Sequence, residues 1–397
     1  MAQHSTTMGG VTTEAPSLTT ALHQLLGRAI QNAGGWIGFD RFMALALYAP
    51  GLGYYANQSP KFGAMPSSGS DFVTAPELTP LFGQTLTVAV AQALQATGTR
   101  EIWEFGAGSG ALALQLLDAL AALGQPVQRY TIVELSGALR ARQQARLAAH
   151  AGKVTWVSEL PAAMQGVVVG NEVLDAMPVK LLARTGGVWH ERGVVLREGT
   201  HGQGLAWQDR PTDLRPPVAM DGGHDYLTEI HPQAEAFIRT LADRLLVGES
   251  AVAPGEGGGG AAFFIDYGFP ETEYYHPQRH MGTVMCHRAH QADGDPLTDV
   301  GLKDITAHVN FTGIALAAQD AGLDVLGYTS QARFLMDSGL LSKLEQTTTM
   351  ERAHAQKLMT EHEMGELFKV IGLCTPSVTG TMADAPGFRV GDRSHTL

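Results

Sequence analysis

The stretch Glu104-Phe105-Gly106-Ala107-Gly108-Ser109-Gly110 constrains the fold of this chain more than any other segment. It follows a short apolar run, Ile102-Trp103, and opens into residues of helical spacing, Ala111 to Leu123. A strand, a glycine-rich turn and a helix in that order make a site where backbone N–H groups can approach a ligand. Glycines at alternate positions remove the Cβ atoms that would block the approach, and they permit turn conformations closed to other residues.

Short β-branched runs alternate with helical segments from that point. Glu101 to Glu104 reads as strand one, Arg129 to Glu134 as strand two, Val154 to Val157 as strand three and Val167 to Val169 as strand four. Ala138 to Ala149 is the helix after strand two. Phe263 to Asp266 is strand five, Phe311 to Gly322 a helix, and Leu323 to Tyr328 and Phe368 to Leu373 are later strands. The pattern predicts an α/β, Rossmann-like parallel sheet with helices on both faces. Residues 1–16 read as a disordered tail, 17–97 as a helical region and 98–397 as the core. The core carries an insertion after strand four at about 180–226, with hairpin pieces such as Val188 to Val195, and a helical hairpin at about 330–362. Thr228 to Leu246 has helical spacing, and Gly255 to Gly260 reads as a surface loop.

Glu104, two residues before the first glycine, narrows the ligand. A carboxylate opposes a pyrophosphate but suits an aminoacyl, cationic ligand, so the turn points to S-adenosylmethionine and methyl transfer. The competing ligand is a nicotinamide dinucleotide, because Gly106, Gly108 and Ala111 also satisfy G-x-G-x-x-A. Glu104 and the early third glycine, Gly110, weigh against it. In such sheets ligands bind beyond the carboxyl ends of the strands, where strand order reverses. Glu134 closes strand two at the distance expected of a ribose-binding carboxylate. Ser158-Glu159 follows strand three, where an adenine amino group could be read. Strand four runs into Gly170-Asn171-Glu172-Val173-Leu174-Asp175-Ala176-Met177-Pro178, two acids and an amide where the methyl acceptor should lie. Glu172 and Asp175 can orient a guanidinium; alternatively, Asn171 and Asp175 cap a following helix. Asp266 at the end of strand five reads equally as a site residue or a cap.

Composition excludes several classes. A net charge of −12 over 397 residues argues against sequence-independent nucleic-acid binding. The two cysteines, Cys286 and Cys374, fit a reducing compartment. No Lys or Arg precedes Arg28, so neither a secretory signal nor an arginine-bearing presequence is visible, and no apolar run reaches the length of a membrane span. The expectation is a cytoplasmic protein. His276, His280, Cys286, His287 and His290 match no familiar zinc spacing, so no metal is expected.

Several longer motifs, in one order, resemble the MidA-like proteins, a family that includes a mitochondrial complex I assembly factor that methylates an arginine. They are Leu47-Tyr48-Ala49-Pro50-Gly51-Leu52-Gly53-Tyr54-Tyr55, Asp71 to Glu77, Glu104 to Gly110, Asn171 to Pro178, Phe264 to Gly268, Asp304 to Phe311 and Met364 to Val370. The resemblance implies a class I S-adenosylmethionine-dependent methyltransferase fold, with the N-terminal region acting as a lid. Thr74, Pro76 and Glu77 would fold over the cofactor beside the glycine turn, with Glu104, Gly106, Gly108 and Gly110 at its aminoacyl end. Glu134 would hold the ribose, with Glu159 and Asn171 nearby. Glu172 and Asp175 would face the acceptor, with His308 as a third candidate. The implied activity is methylation of a protein arginine, with a respiratory-complex subunit as the partner that the resemblance suggests; the oligomeric state is open. An assembly chaperone using the cofactor only for structure, and a small-molecule methyltransferase with a deep closed pocket, are the alternatives. The chain departs from the family pattern in a longer loop from Phe62 to Asp71 and in Ser70, where a glycine is usual.

Overall fold

The structure is a computed structural model, and it describes residues 18–57, 73–199, 202–220, 222–251, 258–345 and 347–397. The expected N-terminal tail, the loop from Phe62 to Asp71, Ser70 and residues 255–257 of the Gly255 to Gly260 loop lie outside the described residues.

The chain begins with helix α1 (Leu18–Asn32), strand β1 (Ile37–Gly38), α2 (Phe39–Tyr48), α3 (Ala75–Leu78) and α4 (Leu81–Thr97). The main sheet then starts with β2 (Glu101–Phe105), α5 (Ala111–Ala122), β3 (Arg129–Val133), α6 (Gly137–Arg146), β4 (Val154–Val157) and β5 (Gly166–Asn171). Strands β6 (Lys180–Thr185), β7 (Val188–Gly199), β8 (Gly202–Pro211) and β9 (Tyr226–Ile230) follow, then α7 (Pro232–Ser250), β10 (Gly260–Phe269) and α8 (Glu271–Tyr274). Next come β11 (Met285–Arg288), β12 (Gln291–Asp293), β13 (Asp304–Thr306), β14 (Val309–Asn310) and α9 (Phe311–Asp320). The last elements are β15 (Asp324–Ser330), α10 (Gln331–Asp337), α11 (Leu340–Leu344), α12 (Thr349–Met359) and β16 (Phe368–Cys374).

The main sheet has the order β15-β16-β10-β5-β2-β3-β4, with β14 added beside the end of β10. Strands β10, β5, β2, β3 and β4 are parallel neighbours, and β16 is antiparallel to both β10 and β15. The class is therefore α/β with a large mixed sheet. Alternation along each strand sorts the core. Ile102, Val167, Val169, Phe263 and Ile265 face one side, where they pack with Leu86 of α4 and Leu116 of α5. Trp103, Val168 and Phe264 face the other, against Ile238 and Leu241 of α7 and Ile314 of α9. Successive residues of a strand point to opposite faces, and a sheet covered on both is an almost unbroken apolar run.

Strand order reverses between β2 and β5: β3 and β4 extend one way from β2, and β5 lies on its other side. The carboxyl ends of β2 and β5 thus flank a crevice.

Residues 180–230 leave this sheet. Strands β6, β7, β8 and β9 join β1 in a five-stranded antiparallel sheet, whose Leu181 and Val194 pack with Phe39 and Phe42 of α2. Three expectations change here. Residues 228–230, expected to be helical, complete β9, and Pro232 at the start of α7 marks where the helix begins. Residues 285–306 form a three-stranded sheet, β12-β11-β13, that periodicity did not announce. The expected helical hairpin at 330–362 contains three helices, α10, α11 and α12.

Where β14 joins β10, Gly268 leaves no room for a side chain: a Cβ there would lie 2.1 Å from the Val309 carbonyl oxygen. This contact holds His308, next to Val309, against the end of β10. Gly268→Ala is expected to destabilise the protein by about 2–3 kcal/mol by forcing the strands apart. Urea unfolding checks it, with a midpoint shift at unchanged slope expected and an unmoved midpoint contradicting it.

Candidate active site

The crevice beyond β2 and β5 opens into a cleft of about 1860 Å³. That is larger than the few hundred to about 1,000 Å³ of an ordinary small-molecule pocket, so a nucleoside cofactor and a second reactant fit together.

One end is built on the glycine turn. Gly106, Gly108 and Gly110 have φ of 64°, 52° and 83°, the left-handed region that side chains disfavour. A Cβ on Gly106 would stand 2.7 Å from Val173 Cγ2. Gly106 and Gly108 border the cleft, whereas Gly110 stands back and starts α5. Glu104 is buried at the edge of the cleft and accepts a hydrogen bond from Tyr130 Oη at 2.8 Å. Burial pushes its carboxyl up to about 8, helped by Glu134 and opposed by the Tyr130 hydrogen bond. Glu134 accepts from the Ser136 N–H at 2.7 Å and from Gln143 Nε2 at 2.9 Å. The same Gln143 Nε2 donates to the Gly108 carbonyl at 3.0 Å, so one amide ties the β3 carboxylate to the turn.

The N-terminal region reaches this end through α3. Thr74, Pro76 and Glu77 all border the cleft. Arg146 Nη1 donates to Glu77 at 2.8 Å, and Ser109 Oγ of the turn donates to the same carboxylate. Gln115 Nε2 of α5 donates to the Pro76 carbonyl at 2.7 Å. Glu159 is not part of this assembly. It is exposed and borders a separate hollow beside Trp103, while its neighbour Leu160 lines the cleft.

The other end is built on the turn after β5. No helix follows Asn171, so neither it nor Asp175 is a helix cap. The capping runs the other way: Asp266 of β10 accepts the N–H groups of Val173, Leu174 and Asp175 at 3.0, 2.8 and 3.3 Å. Asp266 is therefore the buried anchor of the turn rather than a cleft residue. Glu172 is held at φ 55°, a conformation that costs a side-chain-bearing residue about 1–3 kcal/mol. Its carboxylate accepts from Asn171 Nδ2 at 2.9 Å and from the Ala75 N–H. Burial and then Asp175 push the Glu172 carboxyl up to about 8. Burial raises Asp175 to about 6, opposed by hydrogen bonds from Tyr267 and backbone N–H groups.

His308 lines the same end, packed between Tyr267 and Phe269 at ring separations of 5.1 and 5.3 Å. Burial and then the nearby Arg279 lower it to about 4, so it is neutral at physiological pH. Four further residues belong here that the reading of single motifs did not single out: Tyr48, Tyr55, Tyr267 and Asp304. All four stand inside motifs that carried the family resemblance; what no local pattern signalled was their convergence. Among the described residues, no group of three or more His, Cys, Asp or Glu is placed to hold a metal. Cys286 is instead fully buried in the core with α1 and α2.

A nucleoside-binding α/β enzyme with a carboxylate at the end of each of two central strands is the class defined by this geometry. The glycine-rich turn and the Glu104 and Glu134 carboxyls beside it could hold the amino-acid and ribose portions of S-adenosylmethionine. The family described as "Putative S-adenosyl-L-methionine-dependent methyltransferase" matches residues 85–329. A COG1565 superfamily protein from Burkholderia thailandensis, solved bound to S-adenosyl-homocysteine, is 48% identical with a TM-score of 0.86, covering 96% of this chain and 97% of that one. The mitochondrial protein arginine methyltransferase NDUFAF7 homolog of Caenorhabditis elegans is 26% identical over 88% of this chain and 84% of its own length. Its Homo sapiens counterpart is 25% identical over 85% and 80%. The chain belongs to this family and is an S-adenosylmethionine-dependent methyltransferase.

The cytoplasmic expectation does not stand, because these curated relatives are mitochondrial proteins. An arginine-poor segment speaks only to one kind of import signal and does not determine a compartment.

Folding raises the Glu104 and Glu172 carboxyls to about 8 from an ordinary value near 4.5. Their stabilising contribution is complete below about 4.5 and is lost as pH rises through 8. The melting temperature of the ligand-free protein is therefore expected to fall between about pH 5 and 8 and to level off above it, and Glu104→Gln to flatten that fall. An unchanged slope in the variant would contradict the assignment.

Proposed function

We propose that this methyltransferase acts on an arginine side chain of a protein substrate. The observation that carries the reading is the hydrogen-bonding character of the acceptor end. Asn171 Oδ1 and Asp175 Oδ1 are buried, border the cleft and have no hydrogen-bond partner among the described residues. Buried acceptors without partners cost about 1–3 kcal/mol each, so this end calls for a ligand rich in donors. A guanidinium carries five N–H donors and no acceptor. Its charge also offsets the mutual repulsion of Glu172, Asp175 and Asp304. The named activity of the NDUFAF7 relatives supports the same reading.

Held between the glycine turn, Glu134 and α3, the cofactor supplies an electrophilic methyl group. The protein supplies the rest. Glu104, Gly106 and Gly108 hold the aminoacyl end, Glu134 the ribose, and Thr74, Pro76 and Glu77 cover it. Glu172 and Asp175 orient the guanidinium, so that positioning provides much of the acceleration. Methylation of a guanidinium nitrogen leaves one surplus proton. Glu172, raised to about 8 in the ligand-free protein, gives up its own proton to solvent as the guanidinium cation binds, and the carboxylate so formed takes the surplus one. His308, lowered to about 4, serves as a neutral neighbour rather than the proton's resting place.

Two measurements test the proposal. Labelled-methyl transfer into a lysate lacking this protein, followed by mass spectrometry, is expected to place label on protein arginine. Glu172→Gln combined with Asp175→Asn is expected to lower kcat/KM roughly 100-fold, the loss of two charge-assisted hydrogen bonds. The affinity for S-adenosyl-homocysteine should stay within about threefold, since neither side chain belongs to the cofactor end. Label on a metabolite, or a fully active double variant, would overturn it.

A further inference from the structure

The wall that the N-terminal region contributes to the acceptor end has committed its hydroxyl protons. Tyr48 Oη donates to the Ala176 carbonyl at 2.7 Å, and Tyr55 Oη donates to Asp304 Oδ2 at 2.7 Å. The two rings stack on each other with centroids 5.6 Å apart and planes 20° from parallel. Tyr54 meets Tyr55 edge-on at 5.0 Å and fixes its orientation. Tyr48, Tyr55 and Asp304 all border the cleft, beside Asp175.

A hydroxyl that has given its proton away can only accept. The wall therefore offers an occupant three things: hydroxyl lone pairs, a carboxylate and aromatic surface. Each of them favours a cation. The wall also crosses the chain: Tyr48 closes α2 and is tied to the acidic turn at Ala176, while Tyr55 is tied to Asp304 at the start of β13. Its position is thus set by three segments of the chain.

Resting on the arginine reading above, we propose that Tyr48, Tyr55 and Asp304 form the specificity wall of the acceptor pocket, selecting a flat guanidinium over a compact ammonium. The tyrosine pair provides the aromatic surface and Asp304 accepts from the edge of the cation opposite Glu172. Guanidinium is planar and weakly hydrated and stacks on aromatic groups, whereas ammonium is strongly hydrated and does not. The wall thus acts on acceptor binding rather than on the methyl donor.

The test is steady-state methylation of the acceptor labelled by the wild-type enzyme, with a lysine-for-arginine version in parallel. Tyr48→Leu combined with Tyr55→Leu is expected to raise KM for the arginine acceptor about 10- to 30-fold, with kcat within about threefold. Its preference for arginine over lysine should fall about tenfold. Tyr48→Phe with Tyr55→Phe keeps both rings and is expected to recover most of the KM, while Asp304→Asn raises KM without changing the affinity for S-adenosyl-homocysteine. That affinity, measured by calorimetry, also reports whether each variant is folded. The Phe pair and Asp304→Asn carry the test should the Leu pair fail to fold. Wild-type KM and selectivity in a folded Leu pair would overturn the wall alone, as would unchanged KM in Asp304→Asn. A wild-type enzyme that methylates only neutral acceptors would overturn the arginine reading and the wall together.

Discussion

One buried carboxylate holds the two halves of the active site in register. Asp266 lies in the strand beside β5 and accepts the three consecutive N–H groups of Val173, Leu174 and Asp175. Those donors lie in a water-poor interior, where each would cost about 1–3 kcal/mol if left unpaired. Satisfying all three forces the chain into a tight turn as it leaves β5. The turn places Val173 against the space left by Gly106 and directs Asp175 toward the acceptor end. The donor end and the acceptor end therefore share one rigid seam, with Asp266 beneath it.

The site concentrates charge that the rest of the fold avoids. Glu104, Asp175 and Asp266 are buried and Glu172 is half-buried, and burial is the first cause of each upward shift. Asp175 also raises Glu172, and both raise Asp266. Such an arrangement is unfavourable without a cation, and perturbed carboxyls in a cleft are a mark of a working site. The strained backbone of Glu172 belongs to the same pattern, local strain held by well-determined surroundings. The cofactor is cationic, and so is the guanidinium proposed as its acceptor, so their binding would relieve what folding imposes.

The cofactor half was legible because its chemistry is local. Glu104 to Gly110 and Glu134 belong to strand–turn–helix units whose spacing is set by one βαβ geometry. Glu159 shows the limit of that logic: following a strand places a residue near the sheet end but does not aim its side chain. The acceptor half was less legible because it is assembled from remote segments. Tyr48, Asp175, Tyr267, Asp304 and His308 come together only through sheet order. The turn at 171–178 looked like a helix start because Asn and Asp serve both as caps and as turn residues; the buried partner in β10 decided between them. Residues 228–230 and 285–306 are short strands, where tertiary pairing outweighs local preference.

The central claim is that one cleft takes a methyl donor at the glycine turn and a guanidinium at the acidic turn. Its most direct test is the affinity of a bisubstrate compound that joins the S-adenosyl-homocysteine skeleton to a guanidinium through a short linker. If both ends are engaged at once, the compound should bind at least about 100-fold more tightly than S-adenosyl-homocysteine alone. An analogue ending in a methyl group should show no such gain. Equal affinity for the guanidinium and methyl compounds would contradict the account.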